Sequence, residues 1–407
     1  MPQIATGIFK KLVAKKQSAL GTKATAGSAQ LYRRVTSSVD LQKATYQSNE
    51  IRPSMQRSDM RHGVRSVSGT INGELSCGTY QEFMASALRS AWAATSAYAA
   101  GIDVTAAATS PQFVDASGGF LTAGLKVGMV GRWTGFAGGG ATANNDRNFL
   151  ITALTATNMT GVFLDGTAVV ADAAGDSVTF TPVGKSLFIP TSGHTLDYWT
   201  IEHNYSDIVQ SEQFLDCVFG DMALKLPASG MATVDFPVMG RNMDVSTSAY
   251  FTSPTAASTG GVLAAVNGAA YVAGTAVGYI TSMDFNVAAN LTMPGGVVGS
   301  NIEPDIFRGS FDVTGTATVL FTDAVMRDYF RNETEVSVVV ALTTGNTATA
   351  DFQVYTFPRV KFGGASKDDG ETGLRMTVPF TALENVAGGA GTASVASAIV
   401  IQDSLAV

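Results

Sequence analysis

Cysteine is almost missing. The 407 residues contain only Cys77 and Cys217, which excludes a disulfide scaffold and every zinc site built on several thiolates. Three histidines leave little room for a His-rich metal centre. Charge is scarce as well: Asp, Glu, Lys and Arg make up 14% of the chain, against about 25% in an average soluble domain. Because 45% of the residues are apolar, this scarcity does not signal disorder, which requires few apolar residues and a high net charge. A net charge of −7 argues against tight, sequence-independent DNA binding, which depends on Lys and Arg neutralising phosphates. Long apolar runs are missing too. The charge-free stretch 245–283 is rich in Gly, Ala, Ser and Thr and broken by Pro254 and Asn267, so it reads as a linker with a short strand and not as a membrane span. What remains is a chain of Gly, Ala, Thr and Val with few charges to keep its surface soluble. Burying much of that surface in an assembly is one solution.

The charges are unevenly placed. The first 34 residues hold Lys10, Lys11, Lys15, Lys16, Lys23, Arg33 and Arg34 and no acid, leaving 19 bases against 33 acids, or −14, in the other 373. No apolar stretch of 7–15 residues follows the basic start, so a secretory signal is not expected. Two readings stand: an arm disordered in the monomer that docks on an acidic neighbour, or a merely solvated tail.

Self-similarity organises the rest. Val35-Thr36-Ser37-Ser38-Val39-Asp40-Leu41 returns, one residue shorter, as Ile280-Thr281-Ser282-Met283-Asp284-Phe285. Each is followed by a polar loop with a matching element, Glu50-Ile51-Arg52-Pro53 and Asn301-Ile302-Glu303-Pro304, and then by Val67-Ser68-Gly69-Thr70 and Val313-Thr314-Gly315-Thr316. Both copies then reach a helix. In the first, Thr79 and Glu82 have capping-box spacing, and Phe83, Met84, Ala87, Leu88 and Trp92 recur at helical spacing. In the second, Thr322-Asp323 opens a helix with Val325, Met326, Tyr329 and Phe330 on one face. Strands 222–226 and 231–238 end the first copy and match 359–362 and 374–380, with Pro237 and Pro379 beside apolar residues.

This order predicts a mainly β protein of two β-sandwich modules, each with one flanking α-helix, plus an inserted small β-barrel or sandwich. The expected divisions are a basic arm over 1–30; a first module over 31–98 and 190–244; an insert over 105–187; a linker over 245–275; a second module over 276–386; and a tail over 387–407. The insert is expected to build strands at 126–130, 149–154, 161–164 and 177–180, with 137–145 as a mobile tip.

No catalytic constellation emerges. His194 and His203 lie near Asp197, Glu202 and Asp207, but Glu202 and His203 alternate across a strand. His62 reads as a contact residue in the long polar loop. Cys77 and Cys217 read as small core residues. Gly138-Gly139-Gly140 lacks the Lys-Ser/Thr of a phosphate loop. The acidic run 367–371 has too few ligands for calcium and reads as a turn. No enzyme activity, cofactor or metal is expected. The informative polar segment is the 23-residue loop 43–65, since long loops in compact domains are usually functional. Glu50, Arg52, Arg57, Asp59 and Arg61 alternate there with Ile51, Pro53, Met55 and Met60, a mixture suited to packing against another subunit. Its counterpart over 294–308 is shorter and less charged.

Together these residues resemble the tail tube proteins of long-tailed bacteriophages, in the form with two tube modules per chain. The resemblance rests on 35–41, Glu50-Ile51-Arg52-Pro53, Arg57-Ser58-Asp59, Val67-Ser68-Gly69-Thr70, Gly73-Glu74-Leu75 and the helix over 80–92. In the second module it rests on 280–285, 313–316, 323–330 and Phe357-Pro358-Arg359-Val360. The resemblance implies a structural virion protein whose trimeric, pseudo-hexameric rings stack into the tube that conducts DNA. It implies no membrane span and, as partners, further copies, the tail terminator, the distal tail protein and the tape measure. By position it makes Glu50, Arg52, Met55, Arg57, Asp59, Met60 and Arg61 the contacts to a neighbouring ring, with Lys10, Lys11, Lys15 and Lys16 as a second tie. The alternative is a virion-surface or secreted adhesin whose insert binds a host glycan at Trp133, Phe136 and Asn144.

Overall fold

The computed structural model describes residues 4–109, 112–369, 371 and 373–407. Alternating sequences become strands with one apolar and one polar face, as the two-residue pleat requires. The first module consists of β1 (Lys10–Lys16), β2 (Asp40–Gln47), β3 (Met60–Glu74), α1 (Gln81–Ala87), β4 (Trp199–Tyr205), β5 (Gln210–Phe219), β6 (Asp221–Pro227) and β7 (Thr233–Gly240). The second follows with β8 (Gly268–Val272), β9 (Ile280–Ala288), β10 (Asp312–Leu320), α2 (Val325–Arg331), β11 (Val336–Thr343), β12 (Phe352–Phe362), β13 (Ser366–Lys367) and β14 (Arg375–Ala382). Each of these first-module strands has its counterpart seven places later, short strands such as Asn242–Ser246 stand outside that correspondence, and β15 (Val400–Asp403) is added at the end.

Register makes the duplication explicit. Thr70 of β3 lies opposite Pro237 of β7, and Thr316 of β10 lies opposite Pro379 of β14. The same bulge recurs: Trp199 pairs with Cys217 but Ile201 with Phe214, and Val336 pairs with Val360 but Val338 with Phe357. The fold is mainly β, two sandwich modules each with one α-helix, and an inserted β-domain.

The structure changes the expected alignment in two places. With Val67 equated to Val313, Leu41 pairs with Val67 and Val287 with Val313, so Leu41 corresponds to Val287 and not to Phe285. A slip of two residues keeps every side chain on its own face, and periodicity alone is blind to it. Likewise Phe219 and Phe362 are equivalent through their pairing with Val238 and Phe380, so residues 222–226 correspond to 365–369, beyond the bend, and not to 359–362.

The ends of the chain also differ from expectation. Residues 10–16 are not a free arm. β1 pairs with β4 and buries Leu12, Val13 and Ala14, apolar positions masked by the lysines around them. Its counterpart β8 lies inside the expected linker and pairs with β11. The 387–407 tail closes on β15, which pairs with β12 and with the strand Lys185–Phe188.

The main core surrounds α1. Phe83 stacks on Tyr32 and Phe219, with ring centroids 4.2 Å from each, and meets Trp199 edge-on at 5.4 Å. The capping box does not form. Thr79 accepts hydrogen bonds from Ser76 (2.7 Å) and Arg33 (2.9 Å), while Glu82 pairs with Lys16 at 2.8 Å, so long-range partners outcompete the local cap. In α2, Asp323 accepts from the Val325 amide at 3.0 Å, and no residue of the helix is buried.

The insert is a seven-stranded sheet running from Tyr98 to Pro182 around Phe113, Phe120, Trp133, Phe149 and Phe180. It leaves the first module after α1 but packs on the second. Val130 and Leu150 join Tyr271, Val339, Ala341, Phe352 and Val354. The Gln402 side chain accepts from the Val130 amide (2.7 Å) and donates to its carbonyl (2.8 Å), extending that junction with polar contacts.

Candidate assembly surfaces

One sheet runs through both modules in the order β2-β3-β7-β6-β9-β10-β14-β13, four strands from each, joined where β6 pairs with β9. Its inner face carries Val67, Ile71, Phe236, Leu224, Phe285 and Val313, all buried. The outer face is Ser, Thr, Asn and Asp. Asp40, Glu74, Asp221, Asp235, Asp284 and Asp312 stand there against Lys225, Arg375 and, toward the hairpin end, Arg61. Lys225 lies opposite Asp284 in the ladder and pairs with Asp235 at 3.2 Å, so the net field of this face is acidic.

The 43–65 segment is not a structureless loop. Gln47 pairs with Met60, so β2 and β3 form a long hairpin whose connection is 48–59. Its polar groups satisfy each other. Arg52 pairs with Glu50 and Arg61 with Asp59, each at 2.9 Å, while Arg57 donates to the Ser48 carbonyl at 2.9 Å and to Asn49 at 2.8 Å. The apolar side chains point outward: Ile51 is 101% exposed, Met55 97% and Met60 50%. Asn301-Ile302-Glu303-Pro304, expected to match this tip, instead lies at the hairpin base. Ile302 bridges Arg65, and Arg241 donates to the Glu303 carbonyl at 2.5 Å.

The four lysines of β1 are mostly committed within the chain. Lys10 donates to the Ser37 carbonyl at 2.8 Å, Lys15 to Thr25 at 2.7 Å, and Lys16 pairs with Glu82 (2.8 Å) and Asp197 (3.1 Å), while Lys11 is exposed. Burial, opposed by hydrogen bonds and charges from Glu82 and Asp197, leaves the Lys16 pKa raised.

Other candidates resolve into structure. Cys77 and Cys217 are buried core thiols, with burial pushing both upward. Glu202 is also buried and accepts from the Tyr250 and Phe251 amides at 2.6 and 3.1 Å. Among the described residues no cluster of three His, Cys, Asp or Glu is gathered for a metal, and no helix is long and apolar enough to cross a membrane. The proposed glycan site is overturned: Trp133, Phe136 and Asn144 are 0%, 2% and 0% exposed. The expected mobile tip folds over as a turn that buries Ala141 and Asn144, because Asp176 accepts from the amides at 137 and 138 and Asn144 bonds to Val170. In the acidic run 367–371, Gly370 lies outside the described residues.

His203 makes a measurable prediction. It is buried beside Ser37, whose Oγ is 2.7 Å from Nε2; desolvation, with Lys10 and Arg34 nearby, pushes it down to about 3. An unfolded chain takes up this proton near pH 6.5, so folding stability falls as pH drops below that value, by about 1.4 kcal/mol per unit, until the folded group titrates. His203→Gln is expected to flatten the decline between pH 6.5 and 4, read as denaturation midpoints by circular dichroism. Parallel profiles for the two proteins would refute this.

The chain is thus a two-module β-sandwich with a shared polar wall and a projecting apolar-tipped hairpin, surfaces suited to assembly. The family model for phage tail tube proteins matches residues 10–382, nearly the whole chain. The chain therefore belongs to the phage tail tube protein family, whose place is the virion tail. No curated protein matches it.

Proposed function

We propose that three copies close into a pseudo-hexameric ring and that stacked rings form the tube through which DNA leaves the virion. The observation that carries this reading is the single sheet formed by two equivalent modules in one chain, with a polar, acidic outer face. Turned toward a lumen, that face repels phosphates of like charge and keeps DNA sliding instead of sticking. The hairpin tip, with Glu50, Arg52, Met55, Arg57, Asp59, Met60 and Arg61, reaches the next ring. Lys11, the uncommitted lysine of β1, is available for a second contact. Tail terminator, distal tail protein and tape measure are the partners at the ends and inside.

Electron microscopy of concentrated protein tests the assembly: rings or tubes with three chains per ring are expected, and a persistent monomer would overturn it. The lumen assignment has its own test. Asp235→Lys with Asp284→Lys should leave tubes intact while making them retain DNA in low salt, released as salt rises. Tubes of the variant that bind no more DNA than wild type would place this face elsewhere.

A further inference from the structure

The polar wall has two edges without a strand partner among the described residues: the outer side of β2 and the outer side of β13. Unpaired edges are sites for adding a strand. They cannot meet within one chain, because seven strand spacings separate them by roughly 34 Å.

The duplication specifies what each edge fits. Inside the chain, β6 pairs with β9 so that Met222 faces Val287, Ala223 faces Asn286 and Leu224 faces Phe285. On the β13 side, Ser366 pairs with Thr377 where Ala223 pairs with Asp235, and Lys367 pairs with Met376 where Leu224 pairs with Val234. Residues 364–368 are therefore the second-module equivalent of β6. On the β2 side, Asp40 pairs with Ser68 and Leu41 with Val67, as Asn286 and Val287 pair with Thr314 and Val313. Residues 38–42 are thus the first-module equivalent of β9.

We propose that residues 364–368 of one copy pair antiparallel with residues 38–42 of the next, with Ala365 opposite Leu41, Ser366 opposite Asp40 and Lys367 opposite Val39. The inference rests on the ring reading and specifies its seam. Charge supports the same register independently. Extending it by one pair places Asp369 opposite Ser37, where Lys10 donates to the carbonyl at 2.8 Å and Arg34 donates to the Lys10 carbonyl at 2.6 Å. The acids at 368 and 369 then meet a pair of cations at the one end of β2 that carries them.

The test uses full-length protein assembled into tubes and oxidised. Asp40→Cys with Ser366→Cys should convert most of the chain into covalent dimers and trimers on denaturing gels. Ala223→Cys with Asn286→Cys, paired within the chain, should form an internal disulfide under the same conditions. The native cysteines are buried and do not interfere. Asp40→Cys with Asp368→Cys, two residues out of register, should cross-link far less; stronger linkage there than with Ser366→Cys overturns the register. If the Asp40/Ser366 variant fails to assemble, amide hydrogen exchange on the wild-type chain decides. Exchange of the outward-facing amides of Val39, Leu41, Ala365 and Lys367, which alternate with amides bonded inward such as Ser38 to Thr70 and Asp368 to Arg375, should be fast in the free chain and lost in tubes, and fast exchange in both states overturns the seam. Tubes of the Asp40/Ser366 variant that do not cross-link, or wild-type tubes that gain no protection, leave the tube reading standing and refute only the seam, whereas a wild-type chain that never assembles refutes both.

Discussion

Ile51→Asp with Met55→Asp is expected to yield a chain that folds normally and does not elongate into tubes. Both side chains are fully solvated in the single chain, at 101% and 97% exposure, so replacing them removes no internal packing. Surface changes of this kind usually stay within about 0.5 kcal/mol. The tip keeps its shape without them, because the Glu50–Arg52 and Asp59–Arg61 pairs and the bonds of Arg57 brace the connection 48–59 from within. Exposed apolar side chains on a self-braced projection mark a contact surface. Burying two new carboxylates in that contact costs several kcal/mol unless each finds a partner. Sedimentation should show rings or single chains in place of tubes, with an unchanged circular dichroism spectrum. Deletion of 50–61 should act in the same way. Tubes of normal length from either variant would remove the tip from the stacking interface.

The duplication was legible in sequence because its markers are chemically unusual: a Gly inside a strand at 69 and 315, and a Pro inside a strand at 237 and 379. Register was not legible. Serine and threonine fill the polar face so uniformly that a slip of two residues changes nothing visible, and only the ladder equates Leu41 with Val287. The role of β1 was hidden by its own lysines, since Leu12, Val13 and Ala14 form a three-residue run between charged pairs and show no alternation. The hairpin residues read in sequence as a loop, because their mutual pairing depends on β2 and β3 continuing beyond the strands that face β7. The false glycan site has a simple cause. An aromatic residue among Gly and Asn looks exposed in sequence, whereas Trp133 and Phe136 are the packing centre of the insert.

The two helices, equivalent by position in the repeat, should respond very differently to the same truncation. Phe83 stacks on Phe219, and Tyr329 stacks on Phe362, the counterpart of Phe219, with centroids 4.2 and 6.3 Å apart. Beyond that shared contact their surroundings diverge. Phe83 is fully buried because Tyr32 covers its other face and Trp199 closes the side, while the C-terminal segment ties down the loop before α1 through the Asp403 carboxylate, which accepts from the Gly78 amide at 2.8 Å. Among the described residues no equivalent cover lies over α2, whose Val325 and Phe330 remain exposed. Phe83→Ala leaves a cavity that a crowded aromatic cluster cannot fill, at a cost of about 3–5 kcal/mol. Tyr329→Ala removes a half-buried ring from a rim that water already reaches, and should cost about 1 kcal/mol, in proportion to the smaller apolar area lost. Urea denaturation of the unassembled chain separates the two through their midpoints at constant slope. Equal losses would mean that α2 is as firmly packed as α1, and that the asymmetry of their cover has no energetic consequence.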